Sequence, residues 1–212
     1  MIRRTASALV LSATVLGAQS PFEGSIVMNM AGDGGKPREV SYFVRGGKIR
    51  MEMAGARGEQ MTMIMNPAAK EMLILMPAQK MYMVQAIGAA VDAAATSKPP
   101  TIARTGKTET IAGYKCEYVK VTAEDGISSD VCVAKGIGAF RMPSSGARGG
   151  PPKAEPWQGA LGDGGFPLKV VKGGKVMHEV TKLEKKTLDA AQFEPPEGFR
   201  KMDMGGMMRR RP

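Results

Sequence analysis

KIRMEM (residues 48–53), QMTMIMN (60–66), EMLILMP (71–77) and KMYMVQ (80–85) are four short runs separated by AGARGE, PAAK and AQ. In the first two runs methionine takes alternate positions: Met51 and Met53, then Met61, Met63 and Met65. Period two is the strand period, so these side chains share one face of a sheet. Lys48, Arg50, Glu52, Gln60, Thr62 and Asn66 fall between them. The third run is apolar from Met72 to Met76, which predicts a strand buried on both faces or one lining a ligand surface. The four runs together predict an antiparallel meander with a methionine-rich concave face.

Composition agrees with a chain of many short strands. The protein has 212 residues, with 27 glycines, 14 prolines and few aromatics. That length suits one domain with a real core, and the glycine and proline suit tight turns. Residues 21–200 are expected to form that domain, with residues 142–165 a Gly/Pro/Ser-rich loop and 201–212 a disordered tail rich in Met and Arg. The first twenty residues read as a secretory signal. Arg3 and Arg4 precede an apolar run, residues 6–17, too short to span a bilayer. Cleavage is expected near Ala18 or Ser20, with Pro21 hindering the second. No cysteine stands near the site to carry a lipid anchor. Export to the periplasm of a Gram-negative bacterium follows, the other reading being an uncleaved anchor.

Export would place Cys116 and Cys132 in an oxidising compartment. AEDGI between their strands resembles a hairpin turn. If pairing is symmetric about Glu124, Tyr118 faces Asp130 and Cys116 faces Cys132, close enough for a structural disulfide. The alternative is two core thiols in a shifted register.

Working outward, FEGSIVMNM (22–30) predicts a first strand with Phe22, Gly24, Ile26, Met28 and Met30 on one face. REVSYFVR returns from a glycine turn, and Gly46-Gly47 closes a two-residue hairpin. After the meander, residues 86–97 are alanine-rich and predict a three-turn helix with Ile87 and Val91 on one side, placed to lie across the concave face. Strands follow at 105–110, 113–122 and 128–135. Trp157 is expected to anchor the long loop. FPLKVVK and KVMHEVTKLEKKT predict a last hairpin about Gly173-Gly174, and Phe193 and Phe199 are expected to dock on the core.

This order resembles a family of exported bacterial proteins of unknown function related to the lipoprotein-sorting carriers of the LolA/LolB and RseB type. The matching pieces are FEGSIVMNM, GGKIRMEM, EMLILMPAQKMYM, TGKTETIAGYKCEYVKV, FPLKVV, EVTKLEKK and FEPPEGF, spanning about residues 22–199. The resemblance implies a mainly β fold with minor α: a curved antiparallel sheet, or unclosed LolA-like barrel, with one or two covering helices and an apolar cavity that takes acyl chains. Cys132 stands where many relatives have an aromatic residue, and the insertion at 142–165 and the basic tail depart from the family pattern.

The chemistry points to binding. Methionine is flexible and polarizable, and suits surfaces that accept varied apolar ligands. Met28, Met51, Met53, Met61, Met63, Met65, Ile74, Met81, Met83 and Ile87 are the candidate ligand residues for an acyl chain, lipid or lipoprotein. The competing reading is that they fill a core built with Met instead of Leu. Thioethers also bind Cu(I), and two patterns invite it: the MxM runs on the strands, and Met202, Met204, Met207 and Met208 in the flexible, exposed tail, which is the better candidate. A ligand-free structural or sensing module is the third reading. No enzymatic activity or cofactor is expected: His178 is the sole histidine, and no GxSxG, HExxH or GxxxxGK[ST] is present. The formal charge of +10 lacks aromatic interleaving and any nucleic-acid motif. Arg209, Arg210 and Arg211 either serve solubility alone, the slightly stronger reading, or meet an anionic membrane surface or an acidic partner.

Overall fold

In a computed structural model that describes residues 22–32, 36–55, 58–88, 100–137, 161 and 165–202, the alternating runs become strands. They are β1 (Gly24–Ala31), β2 (Pro37–Arg45), β3 (Lys48–Ala54), β4 (Gln60–Asn66), β5 (Glu71–Met76), β6 (Met81–Ala86), β7 (Thr101–Ile111), β8 (Tyr114–Thr122), β9 (Ser128–Ala134), β10 (Phe166–Lys172), β11 (Lys175–Lys185) and the two-residue β12 (Arg200–Lys201). All twelve belong to one curved, unclosed sheet, in the order β12-β6-β5-β4-β3-β2-β1-β11-β10-β9-β8-β7. Two meanders, β1–β6 and β7–β11, are joined where β1 pairs with β11. Every neighbouring pair is antiparallel except β12 with β6.

That central pairing leaves no room for a side chain at Gly24. A Cβ there would stand 2.0 Å from the carbonyl oxygen of Glu184, and the backbone φ is +150°. Glycine therefore lets β1 approach β11. The hairpin turns at Gly46-Gly47 and Gly173-Gly174 have the paired positive φ values of a two-residue turn, 56° and 79°, then 57° and 76°. The β7–β8 turn uses Ala112 (φ 49°) with Gly113 (φ 83°), so one non-glycine residue carries left-handed backbone.

Curvature lets the sheet enclose its main core. Ile26 and Met28 of β1, Val40, Tyr42 and Val44 of β2, and Ile49 and Met51 of β3 share a cluster with Val131, Cys132, Phe166, Leu168, Val170 and Val180. Phe22 meets Phe166 edge to face at 5.5 Å. This inner face is the one the methionine alternation marks. A second core forms on the outer face. Ile64 and Leu75, with Phe43, Leu73 and Tyr82 beside them, are covered by Leu188, Phe193 and Phe199 of the C-terminal segment. Phe193 and Phe199 thus dock as expected, on the outer side of the meander.

That segment is held as a strap. Arg45 donates to the Leu188 carbonyl, Arg50 Nη1 donates to the Gln192 carbonyl at 3.0 Å, and the Leu188 amide donates to Glu23 at 3.1 Å. Lys48 pairs with Glu194, and Asp189 caps the 3-10 turn Ala190–Phe193 by accepting from the Ala191 amide at 3.0 Å. Strap and sheet end together: Arg200 donates its amide to the carbonyl of Lys80, just before β6, and Met202 donates to that of Tyr82 within it.

Three expectations change. The disulfide joins Cys116 and Cys132 with Cα atoms 5.3 Å apart, but Cys116 faces Ala134, and Tyr118, not Cys116, faces Cys132. The turn is centred on Asp125, with the Ala123 amide donating to Ile127 O and the Gly126 amide to Ala123 O. The bridge is therefore diagonal across the ladder. Ala86 ends β6 and does not begin a helix; Ile87 follows it and Gly88 has helical backbone, while the rest of the expected helix lies outside the described residues. Lys201, placed in the tail from sequence, pairs with Tyr82. Trp157 and nearly all of the 142–165 loop lie outside the described residues.

Candidate functional site

Pairing register turns the methionine alternation into a grid. On the inner face Met51 faces Met63, Met63 faces Ile74, and Ile74 faces Met83. One step along, Ile49 faces Met65, Met65 faces Met72, and Met72 faces Gln85. One step the other way, Met53 faces Met61 and Met76 faces Met81. Since Thr62 faces Leu75, Met61 and Met76 are neighbours too. Four adjacent strands, β3 to β6, thus carry three rows of almost unbroken apolar side chains, mostly thioethers.

Burial divides this grid. Met28 and Met51 are core residues at 0% and 7% exposure, so they offer little to a ligand. Met53, Met63 and Met65 are partly buried against the main core. Ile74, Met81 and Met83, with Met72 and Met76, are half-buried and belong to neither core cluster. Met61 is 36% exposed. Ile87 is buried beyond the end of β6, its amide donating to Lys70 O at 2.8 Å. The inner face therefore runs from a sealed core at β1–β3 to an accessible apolar surface at β4–β6. The site is brought together by Met53, Met61, Met63, Met65, Ile74, Met81 and Met83, while Met28 and Met51 stand behind it.

Sequence reasoning let the Met72–Met76 run line a ligand surface but did not single out Met72 and Met76 as candidate residues. Their signal was the period-two spacing Met72, Ile74, Met76 within EMLILM, hidden because Leu73 and Leu75 are apolar as well. Those leucines turn to the outer face and its strap. Also missed was Arg200, which faces Met81 from β12 and sets a cationic edge to the last row. A polar groove of about 510 Å³ opens beside Met53, walled by Arg38, Glu39, Ser41, Glu52 and Gln60. Glu52 there is held by Arg50 at 2.7 Å.

Titratable groups lie away from the grid. His178 is buried on β11, facing Met30 and Val170, and burial pushes its pKa down to about 4. Burial raises the Tyr42 hydroxyl, which lies 3.5 Å from Met30 Sδ. Near the disulfide, Tyr118 donates to Glu109 at 2.5 Å, and Lys169 pairs with Glu109 and Glu179 at 3.3 and 3.4 Å. The Tyr118 hydrogen bond holds the Glu109 carboxyl below its ordinary range. The arrangement reads as a cross-strand charge network closed by Lys107 over the Tyr118 ring. Among the described residues no group of His, Cys, Asp and Glu is placed to hold a metal ion. Of the proposed tail ligands, Met202 is half-buried beside β6, and Met204, Met207 and Met208 lie outside the described residues.

Solved structures give distant likenesses. An uncharacterized conserved protein from Thermus thermophilus is 11% identical, with a TM-score of 0.49, over 84% of this chain and 88% of that one. MucB in complex with MucA(peri) is 14% identical, with a TM-score of 0.44, over 85% of this chain and 56% of that one. PNGF-II is 14% identical, with a TM-score of 0.44, over 87% of this chain and 32% of that one. This chain thus spans about half of MucB and about a third of PNGF-II, and scores this low add nothing to the strand order above. No curated protein matches the chain. The family described as a domain of unknown function, DUF4412, matches residues 22–199, the whole stretch from the first core aromatic to the last residue of the strap's apolar set, and the chain belongs to that family.

Proposed function

We propose that the protein is a non-catalytic binding protein of the bacterial periplasm whose inner face at β4–β6 takes an apolar ligand: an acyl chain, a lipid or a lipoprotein. One observation carries this reading. The same three strands have their outer face sealed by the strap and their inner face left half-open, with methionines and Ile74 across it. An apolar surface rimmed by polar residues is the ordinary mark of an interaction site. Methionine allows that surface to accept chains of varied shape. The disulfide fits a compartment outside the cytoplasm. Among the described residues no helix is long and apolar enough to cross a membrane. The sequence resemblance to LolA/LolB and RseB-type carriers supports the same class of ligand. Arg209, Arg210 and Arg211 would bring the carrier to an anionic membrane surface.

The test is a titration of the full exported chain with a fluorescent fatty-acid analogue, together with native mass spectrometry of protein taken from its own periplasm. Ile74→Lys, at the centre of the grid, is expected to weaken binding at least tenfold, while Met177→Lys, on an exposed position of β11, leaves it unchanged. Equal binding by all three proteins, or protein that neither co-purifies with lipid nor binds the analogue, would overturn the reading.

A further inference from the structure

The end row of the grid has a chemistry that an acyl-chain surface does not require. Met53 directly faces Met61 and Met76 directly faces Met81, and Met61 and Met76 adjoin each other just beyond the Thr62–Leu75 pair that ends the β4–β5 ladder. Directly facing residues have Cβ atoms about 4.5–5.5 Å apart. Three rotatable bonds in each side chain let neighbouring sulfurs converge on one point above the row. This row is also the accessible one. Met61 is 36% exposed, so an ion reaches its sulfur without crossing the core.

We propose that Met53, Met61 and Met76 form a binding site for a soft monovalent cation, Cu(I) or its analogue Ag(I). Neutral thioethers select such ions, whereas divalent zinc, magnesium and calcium need thiolate, imidazole or carboxylate oxygen. No such group of charged ligands is assembled among the described residues. Arg200 faces Met81 and repels a cation at that end, so the site centres on Met61. Thioethers take up no proton in ordinary buffers, so affinity is flat with pH, unlike that of a histidine or cysteine site. The site sits on the sheet, and it differs from the tail pattern of Met202, Met204, Met207 and Met208.

The experiment is anaerobic competition of the full chain with bicinchoninate for Cu(I), at neutral and mildly acid pH. Wild-type protein is expected to withdraw one equivalent with the same affinity at both pH values, and X-ray absorption of the complex should show sulfur donors alone. Met61→Leu should weaken binding by about tenfold or more, and the triple change Met53→Leu, Met61→Leu, Met76→Leu should abolish it. Met177→Leu, on an exposed position of β11 away from the grid, should keep wild-type affinity for Cu(I). Met61 is the most exposed of the set, so its single variant keeps the test sound if the triple variant does not fold. The proposal fails if Met61→Leu keeps wild-type affinity, if changing the four tail methionines to leucine removes the copper instead, if nitrogen or oxygen donors appear, or if no copper is withdrawn.

Discussion

Lowering the pH from 7 to 5 should destabilise this protein through one residue. His178 is the chain's only histidine, so it is the one side chain with an ordinary pKa between those values. It is buried on β11 between Met30 and Val170, and burial lowers its pKa from 6.5 to about 4. As pH falls, the unfolded chain takes up the proton first. Stability therefore rises with pH across the window from about 4 to 6.5, is complete above it, and is lost on acidification through it. The full shift corresponds to about 3 kcal/mol, of which about 2 kcal/mol is lost by pH 5. Glu184 is held at about 2 by hydrogen bonds from Lys182 and Lys186, and Glu109 is lowered by Tyr118, so the folded chain keeps both ionised at pH 5, and their unfolded forms, still mostly ionised there, add only a small loss of the same sign. Urea unfolding followed by circular dichroism at the two pH values, at constant ionic strength, measures the effect. His178→Leu should remove most of it, whatever that variant's stability at neutral pH. Equal losses in the wild type and the variant, or no loss in the wild type, would refute the assignment.

Two further outcomes follow from local geometry. Ala112→Gly should raise stability by about 1 kcal/mol, because it relieves left-handed backbone at a non-glycine residue; a thermal melt reads this, and Ala112→Val should lower the midpoint. Replacing Cys116 and Cys132 together by alanine should cost about 3 kcal/mol, the loop-closure term for a separation of 16 residues, and a reducing agent should shift wild-type unfolding by a similar amount while leaving the variant unmoved.

The strands themselves were legible because their signal is local. β4 and β10 match their sequence limits residue for residue, since alternation and flanking turn residues mark both ends. The β8–β9 register was not legible, because the turn between them is one residue off the symmetric guess. A partner shift of two keeps every side chain on its own face, which is why the disulfide survived the error. The pairing of β1 with β11 joins residues far apart in the chain, as Ser25 with Glu184, and no local pattern announces it. Nor could sequence say which face of β5 is covered. EMLILM is apolar on both sides, and only the strap, coming from residues 188–199, distinguishes them.

That distinction has an energetic consequence which bears on function. On the outer face, Phe193 is 2% exposed and packed on Ile64 and Leu75. Phe193→Ala should therefore cost about 3–5 kcal/mol, as other buried aromatic truncations do. On the inner face, Ile74 is half-buried between Met63 and Met83 and lies in neither core. A lysine at position 74 can lay its stem across the methionines and keep its charge in water, so Ile74→Lys should cost about 1 kcal/mol or less. The two faces of one strand set would then differ severalfold in what they contribute to folding. Such an asymmetry is what a surface kept free for a ligand requires, since a face that already stabilises the fold has no apolar area left to give to binding. If Ile74→Lys proves as damaging as Phe193→Ala in urea unfolding, the inner face is core throughout and the ligand surface does not exist. If it is mild and acyl binding falls with it, the methionines of β4–β6 are serving the ligand and not the fold.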